Sequence, residues 1–145
     1  MSTALVWFRR DLRLTDHPAL YYATLAHERV IPIYIHAPQE ETPWAPGAAS
    51  REWLHHSLAA LDAAMRRHGS RLIVRQGDSL AALRELIRET GATAVYWNRL
   101  YEPATIARDR TVKSALHKDG IIAESRQAAL LIEPWTLLKA DTTPY

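Results

Sequence analysis

The sequence predicts an α/β fold: a five-stranded parallel sheet, doubly wound in the order 3-2-1-4-5, with helices on both faces. Three observations point there. Short apolar runs alternate with helical patterns five times along the chain. Those runs are near-continuously apolar, as strands covered on both faces must be, instead of alternating polar with apolar. The 145 residues, 48% of them hydrophobic, suffice for one buried core and one domain. Right-handed crossovers leave few topologies, and 3-2-1-4-5 is preferred to 2-1-3-4-5.

Leu5-Val6-Trp7-Phe8 reads as the first strand, followed by a polar stretch from Arg9 to Asp16. A helix is expected to start at Asp16, with Pro18 in its first turn, and to run to about His27. Val30 to His36 is the second strand, and Pro32 within it calls for a bulge or an early-strand position, because proline cannot donate to a ladder. A Pro-rich loop from Pro38 to Gly47 leads to Ser50 as a helix cap. Leu54, Leu58, Leu61 and Met65 then fall on one face of a long helix that ends before Gly69. Arg71 to Arg75 is the third strand, and Gly77-Asp78 turns the chain into a helix with Leu80, Leu83 and Ile87 inward, closed by Gly91. Ala92 to Trp97 is the fourth strand. Pro103 opens a fourth helix where a missing N–H is harmless, Gly120 ends it, and Ile121-Ile122-Ala123 begins the fifth strand. The result is Rossmann-like in outline.

Composition narrows the function classes. Eighteen Lys+Arg against 16 Asp+Glu give a formal net charge of only +2, with no basic run, so little sequence-independent affinity for nucleic acid is expected from this chain. The absence of Cys removes disulfide scaffolds, thiol catalysis and thiolate metal sites, and fits a cytoplasmic setting. No apolar run approaches the roughly 18 residues of a membrane span. Met1 to Ala4 carries no cationic lead, so no secretory signal is expected.

In such sheets ligands bind beyond the carboxyl ends of the strands, where the strand order reverses. Phe8 to Asp11, Trp97 to Arg99 and His36 to Pro38 converge on that crevice. Known chemistries fail there one by one. No Gly precedes Gly47, which excludes both a dinucleotide fingerprint after the first strand and a phosphate loop at that turn. Receiver-type acidic positions hold Arg9-Arg10, Gln76-Gly77 and Arg126, and there is no Gly-x-Ser-x-Gly elbow. Asp78 reads as a helix cap. His55-His56 are adjacent on a helix, about 100° apart, and cannot chelate one ion. Arg9-Arg10-Asp11-Leu12-Arg13 is either a phosphate grip or an Asp11–Arg13 pair that pins the loop after the first strand. Trp7 and Trp97 sit inside strands and are expected in the core.

Two stretches carry a family resemblance. Leu5-Val6-Trp7-Phe8-Arg9-Arg10-Asp11-Leu12-Arg13-Leu14-Thr15-Asp16-His17-Pro18-Ala19-Leu20 resembles the opening of DNA photolyases and cryptochromes, and Ala94-Val95-Tyr96-Trp97-Asn98-Arg99-Leu100-Tyr101-Glu102-Pro103 with Arg108-Asp109 agrees with it. Gly69-Ser70-Arg71-Leu72 and Gln76-Gly77-Asp78 fit in order and spacing, and the pattern is most like that of a bacterial deoxyribodipyrimidine (CPD) photolyase.

The resemblance implies a two-part enzyme. Its N-terminal α/β domain holds an accessory light-harvesting pigment, and its helical domain holds FAD and damaged DNA, for electron transfer to a flipped pyrimidine dimer. Residues 1–145 match the first part alone and stop at Thr142-Thr143-Pro144-Tyr145, so the expectation is an isolated light-harvesting and scaffolding domain, not itself repair-competent. A stand-alone flavin- or nucleotide-binding module and a cryptochrome photoreceptor domain are the alternatives. Family members that bind folate carry Asn-Glu where this chain has Ala104-Thr105, and those with a deazaflavin carry an acid where it has Leu100, which leaves folate, deazaflavin and flavin open. The expected cofactor-binding residues are Arg9, His36, Asn98 and Glu102. Glu102 would repel a phosphate at the start of the fourth helix, which favours a neutral, hydrogen-bonding ring there. The other reading of this helix is that Glu102 merely caps it and that Arg108-Asp109 decorate its surface.

Overall fold

The computed structural model describes residues 2–43, 45–136 and 139–140; the chain end at Thr142–Tyr145, on which the expectation of an isolated domain rests, lies outside them. Five strands, β1 (Thr3–Phe8), β2 (Arg29–His36), β3 (Ile73–Gln76), β4 (Ala94–Asn98) and β5 (Ile122–Arg126), form one sheet in the order β3-β2-β1-β4-β5. Every adjacent pair is parallel. Helices α1 (Pro18–Ala26), α2 (Ala48–Arg67), α3 (Ser79–Thr90) and α4 (Pro103–Lys118) make the crossovers, with short 3₁₀ turns at Pro38–Glu41 and Pro134–Thr136. Among the described residues no helix is long and apolar enough to cross a membrane.

Period-two alternation splits the core in two. Leu5 and Trp7 of β1 face Leu83 and Leu86 of α3 and Val112 and Leu116 of α4. Ala4, Val6 and Phe8 face Ala19 and Ala23 of α1 and Leu61 and Met65 of α2. All six positions of β1 are therefore buried, which is why its sequence shows no polar alternation. Trp7 and Trp97 meet edge to face at 5.6 Å within the first of these layers, as expected of core residues.

Several boundaries move, each for a local reason. α1 is capped by His17, not Asp16: the His17 Nδ1 accepts from the Leu20 N–H at 3.1 Å. Asp16 has φ 50°, a left-handed conformation incompatible with an extended N-cap. α2 begins at Ala48 on an extended Gly47, ahead of the expected Ser50 cap, because Ala48 and Ala49 are strong helix formers. Pro32 makes no bulge; it stands opposite Val6 in unbroken register, and β3 joins the other side of β2 only from Ile33. The inward face of α3 is Ala82, Leu83 and Leu86, with Leu80 and Ile87 flanking it, partly buried. Asp78 caps this helix, accepting from the Ala81 N–H at 2.9 Å, and Gly91 closes it at φ 72°, where a β-carbon would be strained. His55 and His56 are both exposed on α2, and His56 lies 3.0 Å from Glu52 one turn earlier.

The revised face of α3 is testable by truncation. Leu83→Ala should cost about 3 kcal/mol in chemical denaturation, the scale for a fully buried leucine, and Leu80→Ala clearly less. Equal losses would return Leu80 to the centre of the face.

Candidate functional site

At the carboxyl end of the sheet, three polar side chains lock β1, β4 and α1 together. Asn98, the last residue of β4, accepts from the Ala19 N–H through Oδ1 at 3.0 Å and donates through Nδ2 to Asp11 Oδ2 at 2.5 Å. Because His17 Nδ1 is occupied as an acceptor, the ring proton belongs on Nε2, which lies 2.8 Å from the same Asp11 oxygen. The Arg9 backbone N–H completes the set by donating to Asp11 Oδ1 at 2.9 Å. Burial alone would raise the Asp11 carboxyl, but these donors outweigh it and hold the group below its ordinary value. The expected Asp11–Arg13 ion pair does not form. Asp11 turns inward to His17 and Asn98, while Arg13 turns back to the carbonyls of Thr15 and Asp16 and braces the left-handed turn.

Arg9 is buried beside this lock. Its guanidinium makes a fork to Asp109 of α4, at 2.8 and 2.6 Å, and donates to the Asn98 carbonyl at 2.9 Å. Burial works against the Arg9 charge, and Asp109 offsets this only in part. Arg108, far from decorating the surface, is mostly buried: its Nε donates to Asp109 at 3.1 Å and its Nη1 lies 3.7 Å from Glu40. Glu40 in turn accepts from the Ser79 N–H at 3.0 Å and from the Ser79 hydroxyl. Both guanidiniums stand over the Trp7 ring, at 4.6 Å for Arg9 and 5.2 Å for Arg108.

A cleft of about 580 Å³ opens next to them, within the range of small-molecule sites. It lies beyond the ends of β1 and β2, walled by the first half of α2 and closed on the β4 side by Leu100 and Arg108. Arg9 and His36 line it. Asn98 does not; its amide is already committed to Ala19 and Asp11. Glu102 is the N-terminal flanking residue of α4, and its carboxylate pairs with Arg10 at the surface. Burial would raise the Glu102 carboxyl, but its own backbone N–H, Arg10 and Thr105 bring it below its ordinary value. Thr105 donates its hydroxyl back to the Glu102 carbonyl at 2.9 Å.

The lining gathers the arginines of the candidate phosphate grip with Arg108, expected at the surface, and adds Tyr34, Arg51 and Trp53, which sequence reasoning did not single out. Arg10, Arg13, Arg51 and Arg108 join Arg9, against Glu41 as the one lining carboxylate among the described residues, and Trp7, Tyr34 and the exposed Trp53 supply aromatic faces. Such a lining suits an anionic ligand with a planar ring system. With no glycine-rich turn, its negative charge would be met by guanidiniums instead of backbone N–H groups.

The lock sets a pH dependence. Since the folded Asp11 carboxyl lies below its unfolded value near 4, its contribution is complete above that value and is lost as pH falls through the depressed one. Asp11→Ala should lower stability by about 3 kcal/mol at neutral pH, the scale for leaving the buried donors of His17, Asn98 and the Arg9 backbone without their acceptor. Asp11→Asn should flatten the acid limb of the stability curve. A thermal midpoint unchanged by Asp11→Ala would show that the pair carries no load.

Comparison with known proteins agrees with this architecture. The family model described as DNA photolyase matches residues 4–145. A deoxyribodipyrimidine photo-lyase of Agrobacterium fabrum is 44% identical over 99% of this chain and 29% of its own length. Cryptochrome-2 of Arabidopsis thaliana is 43% identical over 97% of this chain and 23% of its own. A class III photolyase structure from Agrobacterium tumefaciens superposes with a TM-score of 0.91 at 43% identity, covering 99% of this chain and 29% of that one. An archaeal photolyase of Sulfolobus tokodaii, described as holding two FAD molecules with the implication of a novel light-harvesting cofactor, superposes at 0.82 with 30% identity, over 91% and 31%. The chain thus spans less than a third of the length of these relatives, and with its sheet order, its two motifs and their side-chain partners it belongs to the DNA photolyase family.

Proposed function

We propose that this chain is the light-harvesting and scaffolding domain of a flavin-dependent DNA photolyase acting in the cytoplasm, and that its cleft holds an anionic aromatic pigment. The observation that carries this reading is the lining: among the described residues, five arginines against Glu41, beside Trp7, Tyr34 and Trp53, in one cleft at the carboxyl edge of the sheet. A neutral ring fits less well than the Glu102 argument suggests, because Arg10 already pairs with that carboxylate and Glu102 does not line the cleft.

Among pigments, a flavin nucleotide fits better than a folate or a deazaflavin. The positions that would hold the latter two are Ala104, Thr105 and Leu100; Thr105 is tied back to Glu102 and Leu100 gives an apolar wall. The description of the Sulfolobus relative, with its second FAD, lends support. When bound, the pigment supplies light absorption and passes its excitation to the FAD that the family uses for repair. Arg10, Arg13 and Arg51 would meet its negative charge, Trp53 would cover the ring at the mouth, and Arg9 and His36 would line the floor. Asn98 and Glu102 would act through others, Asn98 by fixing the end of β4 and Glu102 by orienting Arg10. Contact with damaged DNA is assigned to the family's helical domain, since the net charge of +2 gives this one little phosphate affinity.

A fluorescence titration of the purified chain tests the reading. Flavin mononucleotide should bind, more tightly than riboflavin, which lacks the phosphate, and less tightly as salt is raised. Arg51→Ala should weaken it by about tenfold, the scale for one charge-assisted contact. Riboflavin binding as tightly as the nucleotide would remove the charge argument, and no uptake of flavin, folate or deazaflavin would leave the domain a scaffold only.

A further inference from the structure

We infer that Arg9 and Arg108 protect the excited state of a pigment in the cleft by making Trp7 a poor electron donor. The inference rests on the pigment-binding reading above. Trp7 lines the cleft, and an indole beside an excited ring is a hazard, because it can surrender one electron before the energy is passed on. In that step Trp7 would become a radical cation and the ring would gain the electron. No bond would form or break, and back-transfer would dissipate the energy as heat.

Three features around Trp7 oppose the step. First, the Arg9 and Arg108 guanidiniums stand over its ring at 4.6 and 5.2 Å. A cation over a neutral indole is attracted by the π face, but over an indole radical cation it meets a like charge. Trp7 is 1% exposed, so little water screens that repulsion. Second, an oxidised indole relieves its charge by releasing the Nε1 proton. The Trp7 Nε1 is buried and has no acceptor among the described residues, so that outlet is closed. Third, the nearby carboxylate that could favour a positive ring, Asp109, is held by both arginines. Trp97, edge-on to Trp7 at 5.6 Å, would be the next donor, and Arg9 lies 6.0 Å from that ring too. Asp109 pairs with both guanidiniums and Glu40 lies beside Arg108. The Arg108 Nη2 nevertheless has no acceptor among the described residues, so ion pairing does not use the whole of the second guanidinium over the ring.

The test is the fluorescence lifetime of flavin mononucleotide on the purified chain carrying Trp53→Phe, read at saturation as fixed by the titration above. That change removes the exposed indole at the mouth as a competing donor, and the chain carrying it serves as the unsubstituted reference for Arg108 and Trp7. Arg108→Leu should shorten the lifetime by about tenfold or more, the scale set by losing one desolvated cation–π partner. Arg108→Lys, which keeps the charge, should hold it near the unsubstituted chain, and adding Trp7→Phe to Arg108→Leu should restore it. Transient absorption on the Arg108→Leu chain gives a readout that needs no change at Trp7: an indole radical should appear as the emission decays. A lifetime unchanged by Arg108→Leu overturns the proposal alone, as does shortening with no indole radical or shortening that survives Trp7→Phe. A chain that takes up no flavin overturns the binding reading and the proposal with it.

Discussion

The Arg9 guanidinium, shut away from water at the end of β1, must find its partners inside the fold. It does so across a long sequence separation, in Asp109 of α4 and the carbonyl of Asn98. A charge buried this way tolerates little displacement of its partners, since an unpaired guanidinium there would be strongly destabilising. The end of β1, the end of β4 and the middle of α4 are therefore fixed relative to one another. The cleft inherits its geometry from that constraint: one wall is Arg9, and the opposite face of the Asp109 pair is Arg108.

Around that pair the polar contacts spread outward in order of exposure. Asp11, His17 and Asn98 form a buried layer with defined donors and acceptors. Arg10, Glu41 and Glu102 form a solvated one, worth little to stability but able to hold a guanidinium at the rim. On the far side of β4, Arg99 and Tyr101 hold the buried Glu133 at 2.6 and 2.8 Å and so fasten the segment after β5. Burial, and then the hydrogen bond to Glu133, push the Tyr101 hydroxyl up to about 12. Of the five arginines on the cleft, Arg9, Arg10 and Arg108 are met by Asp109, Glu41, Glu102 and Glu40, which leaves Arg13 and Arg51 without a carboxylate partner among the described residues.

What was legible in the sequence was what depends on near neighbours. The strand and helix order, the Asp78 cap, the Gly91 stop and the buried tryptophans follow from patterns a few residues wide. The errors arose where a residue had two local options and a distant partner decided. Asp11 had Arg13 two positions away, but Asn98 and His17 offered burial and better-aligned donors. Asp16 is a good cap in isolation, yet the left-handed turn gave that role to His17. The arginine lining was legible only in part for the same reason: Arg9, Arg10 and Arg13 stood together in sequence, but Arg51 and Arg108 come from separate segments that only the folded sheet brings to them. The Arg108-Asp109 dipeptide was the available signal, since two opposite charges on the inner side of a helix need partners.

The first three turns of α2 overhang the sheet. The buried residues of that helix, Leu61 and Met65, lie in its second half, whereas Arg51 and Trp53 are exposed. The part of the cleft that would choose among ligands is consequently almost uncoupled from the part that keeps the domain folded. Neither Arg51 nor Trp53 belongs to the buried core, so residue type can be exchanged there while the buried framework at Arg9 and Asp109 stays constant. One scaffold can in this way present different linings to a ligand.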